Sequence, residues 1–521
     1  MTLAGLLERA ALRRPRAEAV IDGATRLTYA ELDDQSTALG RGFSGLGVGR
    51  GDRVLIVLKN RVEHVLTYWA LQRIAAVATP VNFRLAAGEL AYLLRDSGAR
   101  VVLFESATAP SVLEATRRHR DVTLVFVGDA EPAGTVRFDE IAAGGSAGGQ
   151  GRGPLPAAGP HENDLSLILY TSGTTGRPKG VPRTHENHVA GAVAHALQCG
   201  YTWEERTLGV MPLYHTMGIH ALTSMVAVNG CFVCQPDWSP AAALRLIAAE
   251  RLSALYLIPT LFYDLVHARE RAGADVSSVR KLAYAGAPMP APLTEACVKA
   301  FAPEVFVNHY GSTEIYTFSV RPDVHLKPGC AGRAGLNSVL RVVTPSTERR
   351  VGPDELVRAG EKGEIIARLD GDEAFAGYWN RPDADARALR DGWYFTGDMG
   401  YLDADGELYV AGRVDDMIIS GGENIHPVEV EEALARHPGV RDVAVVGEPD
   451  ERWGERVVAF VTPVSPGLTA DALDRYCRET SRLASFKRPR RFVFVTEIPK
   501  TASGKILRRL LREGRYTEMT R

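Results

Sequence analysis

The stretch Tyr170-Thr-Ser-Gly-Thr-Thr-Gly-Arg-Pro-Lys-Gly180 concentrates hydroxyls, glycines and one lysine in eleven consecutive residues. It follows the apolar run Leu165–Leu169, which reads as a buried strand, and its glycines and proline then end regular structure. A loop of small residues lets backbone N–H groups approach an anion closely. Thr171, Ser172, Thr174 and Thr175 add hydroxyl donors around Gly173 and Gly176, and Lys179 adds a point charge suited to terminal phosphates. The spacing is not that of a Walker A loop, G-x-x-x-x-G-K-[ST], because Gly180 follows the lysine. The plain alternative is a surface Gly/Thr turn that binds nothing.

Six further strings offer complementary chemistry. Val307-Asn-His309-Tyr310-Gly311-Ser-Thr313-Glu314 ends a strand in Tyr-Gly. Tyr310 presents an aromatic face to a flat ring and Glu314 a hard oxygen ligand for a divalent cation, although a bare Thr-Glu pair is usually just solvated. In Gly392-Trp-Tyr-Phe-Thr396-Gly-Asp398 a carboxylate can accept two hydrogen bonds at once, which suits vicinal ribose hydroxyls. Arg413, in Gly412-Arg413-Val-Asp415-Asp416, is placed for phosphate or ribose, although an Asp-rich segment also reads as a charged β-turn. Leu255-Tyr256-Leu-Ile-Pro-Thr260 and Ala283-Tyr-Ala285-Gly286-Ala287-Pro-Met-Pro290 are apolar strands ending in small residues and proline, where a bare backbone admits a flat ring. Met211-Pro-Leu-Tyr-His215-Thr216 sets a histidine just after a strand, either a structural imidazole or a pocket residue.

The elements that must position these groups alternate. An amphipathic helix at the start, a helix opening at Tyr29, strand Arg53–Leu58, helix Val62–Ala76 and strand Val101–Phe104 predict parallel sheets covered by helices. Ala142–Pro160, rich in Gly, Ala and Pro, reads as a flexible surface connection. Beyond Met417 the pattern changes to a Gly-rich turn, a helix Val428–Arg436 and strands Val443–Val446 and Val457–Val461. From Arg478 to Arg512 eleven Lys/Arg face two Glu, a solvated face or an anion-binding one.

Composition narrows the class. Among 521 residues, 45% are hydrophobic and 24% charged, which leaves room for more than one domain with a sizeable core. A formal charge of −2 provides no global attraction to nucleic acid or an anionic membrane. No run is long and apolar enough to span a bilayer, and neither end reads as a targeting signal, so a cytoplasmic enzyme is expected. Six dispersed cysteines argue against a disulfide framework; Cys231-Phe-Val-Cys234 has metal or redox spacing but sits in an apolar strand without a second pair.

In this order the strings resemble the adenylate-forming superfamily of acyl- and aryl-CoA ligases, luciferases and peptide-synthetase adenylation domains. Gly412–Pro427 and Phe486-Lys-Arg-Pro489 look most like aryl-CoA ligases such as those for 4-chlorobenzoate, benzoate or 2-furoate. The resemblance implies an α/β protein with a large N-terminal domain of helix-covered, mostly parallel sheets, residues 1–414. A small, mobile α+β C-terminal domain, residues 415–521, would pivot at Asp415. It implies ATP, Mg2+ and coenzyme A as the small molecules handled, with Glu314 and Thr174 at the metal. Lys505, in Lys500-Thr-Ala-Ser-Gly-Lys505, would join Lys179, Glu314 and His215 in catalysis. His215, Thr216, Tyr256, Ala285, His309, Gly311, Tyr316 and Thr317 would line the acid pocket, with Gly286 and Ala287 where adenine and acyl group meet. Gly422 would flank a pantetheine tunnel, and Trp453, Phe486, Arg488 and Arg490 would hold the CoA nucleotide. The expected reaction joins a small aromatic acid to CoA through an acyl-adenylate, releasing AMP and pyrophosphate. Loading of a carrier protein, short- or medium-chain acyl-CoA synthesis and nucleotide sensing without catalysis stand as the alternatives, with a homodimer among the allowed assemblies.

Overall fold

The computed structural model describes residues 1–119, 121–143, 159–171, 178–345, 350–420, 423–451, 453–479, 483–501 and 504–519, with backbone alone at 269–272, 415, 419, 423–424 and 485. The connection expected at Ala142–Pro160 therefore lies mostly outside the described residues. A seven-stranded sheet runs in the order Val136–Arg137, Thr123–Val127, Val101–Glu105, Arg53–Val57, Val77–Pro80, Leu165–Thr171, Lys179–Thr184. All neighbours are parallel except the last pair. Continuous Val/Ile/Leu runs suit strands buried on both faces. The closing antiparallel pair sets Thr171 opposite Lys179, so the sheet edge delivers both ends of the Gly/Thr loop.

The larger sheet has two halves. Glu18–Asp22, Cys231–Cys234, Arg206–Gly209, Ala254–Leu257, Lys281–Tyr284 and Val305–Tyr310 are parallel neighbours. After Tyr310 the sheet continues antiparallel through Ser319–Arg321, Cys330–Ala334, Leu408–Arg413, Trp393–Leu402, Gly363–Arg368 and Leu340–Val343. The short link between Trp393–Leu402 and Leu408–Arg413 closes a hairpin. Because the parallel strands share one direction, the residues after Gly209, Leu257, Tyr284 and Tyr310 emerge at one edge, where ligands of open α/β sheets bind. The strings after Gly209, Leu257, Tyr284 and Tyr310, which carry His215, Thr260, Gly286 and Glu314, leave the sheet at that edge. Helix Val62–Arg73 stops short of the expected Ala76, since Ala75 takes a positive φ of 55°. Cys231 and Cys234 are free thiols, 2% and 4% exposed.

The smaller C-terminal domain pairs Ile418–Ser420 with Glu423–Ile425, and Val440–Asp450 antiparallel with Gly454–Pro463, which takes Arg491–Phe494 in parallel. Helices Pro427–Ala435 and Ala470–Glu479 accompany this sheet, with Val430, Leu434, Val445, Val461, Leu473 and Phe494 in one core. Among the described residues no helix is long and apolar enough to cross a membrane.

Candidate active site

Lys179 and Glu314 meet around an aromatic ring that the sequence reading did not single out. Lys179 Nζ lies 4.0 Å from the centroid of the Tyr378 ring. The Tyr378 hydroxyl donates to Glu314 Oε1 at 2.6 Å. Beneath them Arg183, 1% exposed, donates from Nη1 to the carbonyls of Thr313 and Glu314, each at 3.0 Å. That guanidinium is buried near the carboxylates of Glu373 and Glu314. Loss of water around Lys179 lowers its pKa, and the charge of Glu314 opposes the shift. Glu314 forms no ion pair among the described residues, and only its Oε1 is engaged, by the Tyr378 phenol, which leaves the other oxygen open to a hard cation. The residues present thus fit magnesium. Ser172, Gly173, Thr174, Thr175 and Gly176 lie outside the described residues.

Asp398 and Arg413 face each other across an antiparallel register. Asp398 Oδ1 accepts from Arg413 Nη1 at 2.6 Å, and Oδ2 accepts from the Tyr310 hydroxyl at 2.7 Å. Arg413 Nη1 also donates to the Thr396 carbonyl at 2.9 Å. Burial, reinforced by Asp398, pushes the Tyr310 phenol well up, so it stays a donor. Lys505 enters the same cleft from the C-terminal domain. Its loop is closed by Lys500 pairing with Ile506 and by the Lys505 amide donating to Thr501 Oγ1 at 3.1 Å. Gly504, at φ 79°, abuts Ile258 so closely that a Cβ there would come within 3.1 Å of its Cδ1. The Lys505 side chain is accessible within the cleft yet walled by protein. Reduced hydration, then the charge of Arg413, lowers its pKa, while Asp398, Asp416 and Glu314 oppose the shift.

His215 caps helix Thr216–Ala227, its Nδ1 accepting from the Met217 amide at 3.4 Å. Burial pushes its pKa down to about 4, which keeps the imidazole neutral. Thr216 Oγ1 is 3.4 Å from Thr313 Oγ1, linking this cap to the Thr-Glu segment. Gly311 lies where a Cβ would come 1.8 Å from the Tyr316 carbonyl, so no other residue fits. Ala285 is 9% exposed at the end of its strand, and Gly286, at φ 85°, turns the chain toward Ala287.

Tyr256, His309 and Tyr316 form a buried polar cluster with His195, Cys199 and His220, three residues missed from sequence. The Tyr316 hydroxyl donates to Tyr256 Oη at 3.1 Å and lies 3.0 Å from His195 Nδ1. The His220 ring stacks on Tyr316, centroids 3.4 Å apart and planes 12° apart. His309 Nε2 is 3.3 Å from Cys199 Sγ. His195, Cys199 and His309 have metal-ligating chemistry, but the two nitrogens of His195 are 3.9 and 3.8 Å from Sγ. With both equally distant, neither ring lone pair is aimed at the sulfur, and the trio reads as a thiol–imidazole contact. His309 Nδ1, both nitrogens of His220 and Thr317 Oγ1 are buried with no hydrogen-bond partner among the described residues. The signal for His195 and Cys199 was their four-residue spacing, with His188 seven earlier, which puts all three on one helix face.

In the C-terminal domain, the Arg490 guanidinium sits 5.9 Å from the Trp453 ring centroid. Trp453 and Phe486 are 38% and 41% exposed. Arg488 Nη1 is held by Asp474 Oδ1 at 2.6 Å. Gly422 lies outside the described residues. The backbone of Asp415 lies in a short 3-10 turn, Val414–Asp416, between Leu408–Arg413 and Ile418–Ser420.

Residues 7–379 match the family described as AMP-binding enzyme, and residues 429–505 its C-terminal domain. The feruloyl-CoA synthase of an Amycolatopsis species is 37% identical over 96% of this chain and 96% of its own. The 4-chlorobenzoate–CoA ligase of an Arthrobacter species is 34% identical over 96% and 93%, and a long-chain-fatty-acid–CoA ligase of Mycobacterium tuberculosis 34% over 98% and 97%. The o-succinylbenzoate CoA synthetase of Bacillus subtilis, solved with its acyl-adenylate intermediate, superposes with a TM-score of 0.84 at 30% identity, covering 99% of both chains. The same enzyme is known with ATP and a magnesium ion, at a TM-score of 0.83 and 30% identity over 97% of this chain and 98% of that one. With both family regions matched in order along nearly its whole length, the chain belongs to the adenylate-forming superfamily and is an AMP-forming acid–thiol ligase.

Proposed function

We propose that the acid is small, planar and aromatic, of the benzoate, hydroxybenzoate or furoate class, and that the acceptor is free CoA. The observation supporting this acid is the Tyr256–Tyr316–His195–His220–His309 cluster, whose rings are flat and whose unpaired polar atoms are buried. A long alkyl chain gains nothing from such atoms and leaves them unsatisfied, whereas an aryl ring with a polar substituent stacks and hydrogen-bonds. Exposed Trp453 and Phe486 beside Arg490 support CoA over a carrier protein, since only CoA brings a nucleotide to bind.

A carboxylate is a poor electrophile until it carries a good leaving group, so ATP first converts it to an acyl-adenylate and the thiol then displaces AMP. Two anions meet in the first step, and fixed positive charge is what that step needs. Lys179 would hold the terminal phosphates and Lys505 would sit between carboxylate and α-phosphate. Asp398 would orient the ribose, and neutral His215 would face the acid. Magnesium held at Glu314 would supply neutralisation of the β- and γ-phosphates. Lys505 occupies space that the thiol needs later, so we place a pivot at Asp415, about which residues 415–521 turn between the two steps.

A panel of acids assayed for pyrophosphate release and then for CoA thioester tests this reading. Benzoates or furoate are expected to show higher kcat/KM than decanoate. Missing methylene contacts account for only about 1–3 kcal/mol, so steric exclusion must supply the rest. Preference for decanoate would replace this pocket assignment with a fatty-acid one.

A further inference from the structure

An ion bridge ties the small domain to the large one. Glu429 lies in the first turn of helix Pro427–Ala435. Its Oε1 accepts from Lys362 Nζ of the large domain, and its Oε2 accepts from Lys487 Nζ at 2.5 Å. Lys362 immediately precedes strand Gly363–Arg368, which pairs with Trp393–Leu402, the strand carrying Asp398. The bridge is therefore anchored one strand away from the ribose carboxylate. Lys487 belongs to the Phe486–Arg490 segment assigned above to CoA, and its neighbour Arg488 is held by Asp474. Two cations that would meet an incoming polyanion are thus each occupied by an internal carboxylate. One of those carboxylates is also the link between domains.

We propose that Glu429 is a positioning residue for adenylation: its bridge to Lys362 keeps Lys505 in the cleft, and the same carboxylate competes with CoA phosphates for Lys487. The inference rests on the CoA-ligase reading above. Glu429 thus holds a cation of each domain at once, Lys362 through one oxygen and Lys487 through the other. Both pairs are about a quarter exposed, with side-chain accessibilities of 27% and 27% for Lys362–Glu429 and 23% and 27% for Lys487–Glu429. Solvent-screened pairs of this kind shift an equilibrium by roughly two- to fivefold. That is enough to bias two domain arrangements of similar free energy, and too little to lock one of them.

Single-turnover measurement of each half-reaction tests the proposal: acyl-adenylate formation without CoA, then thioester formation from supplied acyl-adenylate over a range of CoA. Lys362→Met should slow the first step about two- to fivefold and leave the half-saturating CoA concentration unchanged. Glu429→Gln should slow the first step to the same extent and, by freeing Lys487, lower the half-saturating CoA by about the same factor. The reversed pair, Lys362→Glu with Glu429→Lys, should recover the first step, which loss of helix stability alone would not allow. Adenylation at the wild-type rate in both single variants, or no recovery in the reversed pair, overturns the proposal. A wild-type protein that adenylates acids but passes none to CoA overturns the CoA-ligase reading and this inference with it; a wild type active in both steps confines any failure to the bridge.

Discussion

Two lysines reach one cleft from distant parts of the chain, and their surroundings differ. Lys179 lies over the Tyr378 ring beside the buried carboxylate of Glu314, on a strand of the sheet. Lys505 stands on a loop of the C-terminal domain, among Arg413, Asp398, Asp416 and Glu314. Only the second can leave the site if the domain turns. Replacing Lys505 with Ala should slow acyl-adenylate formation by about 10²-fold or more, the scale seen when one preorganised charge stabiliser is removed. Thioester formation from supplied acyl-adenylate should persist. Rapid-quench measurement of the two half-reactions decides, and equal loss in both would remove the division of labour. Lys179, Glu314, Asp398 and Lys505 were legible as candidates because each is a charged group in a short string of glycines and hydroxyls. Arg183, Tyr378 and His220 were not. Their partners lie 131, 64 and 96 positions away in the chain, at Glu314, Glu314 and Tyr316, and nothing in their immediate neighbours marks them.

At the scale of elements, the ends of the parallel strands assemble the site, and close backbone approach fixes their geometry. Where Val305–Tyr310 ends, Gly311 brings the chain against the Tyr316 carbonyl at a separation that excludes any side chain. The Phe318 amide then donates to the Tyr310 carbonyl at 2.8 Å, returning the chain as an antiparallel strand. Glu314 and Thr313 lie inside this turn, so its shape sets where the carboxylate proposed for magnesium points. Gly311→Ala should therefore displace Glu314 and raise the Mg–ATP concentration needed for half-maximal adenylation about tenfold or more, the energy of roughly one lost charged contact. Isothermal titration with Mg–ATP checks this, and wild-type affinity in a folded Gly311→Ala protein would mean the turn does not set the carboxylate. The strand that leads here was plain from its apolar run and Tyr-Gly ending. The antiparallel continuation was less so: strands of three to six residues, such as Ser319–Arg321 and Leu340–Val343, are too short for alternation to declare a partner.

Across the whole molecule, the imidazoles of the cluster proposed for the acid belong to a wider set of buried histidines. His64, His185, His188, His195, His220, His309 and His426 are each at most 4% exposed. Burial lowers the pKa of all of them, to about 4 for His64, His185 and His426 and about 3 for His309. In the unfolded chain these imidazoles titrate near 6.5, so between about pH 6.5 and 4 the unfolded state binds more protons than the folded one. Stability is therefore complete above that window and falls as pH drops through it, with each histidine contributing up to about 1.4 kcal/mol per pH unit. Asp22, Glu364, Glu373, Glu431 and Glu432 are raised by burial and oppose the trend. Carboxylates lowered by ion pairs, such as Glu205 beside Lys281, add their own loss only below about pH 4.5. Urea midpoints measured at pH 7.5, 6.0 and 5.0 should accordingly decline from the first value to the last. Because His195, His220 and His309 stand around Tyr316, binding of the aromatic acid should counter that decline by keeping this cluster closed. A midpoint that stays constant from pH 7.5 to 5.0 would show that these imidazoles reach solvent without unfolding, and that the pocket cluster is open to water before any acid arrives.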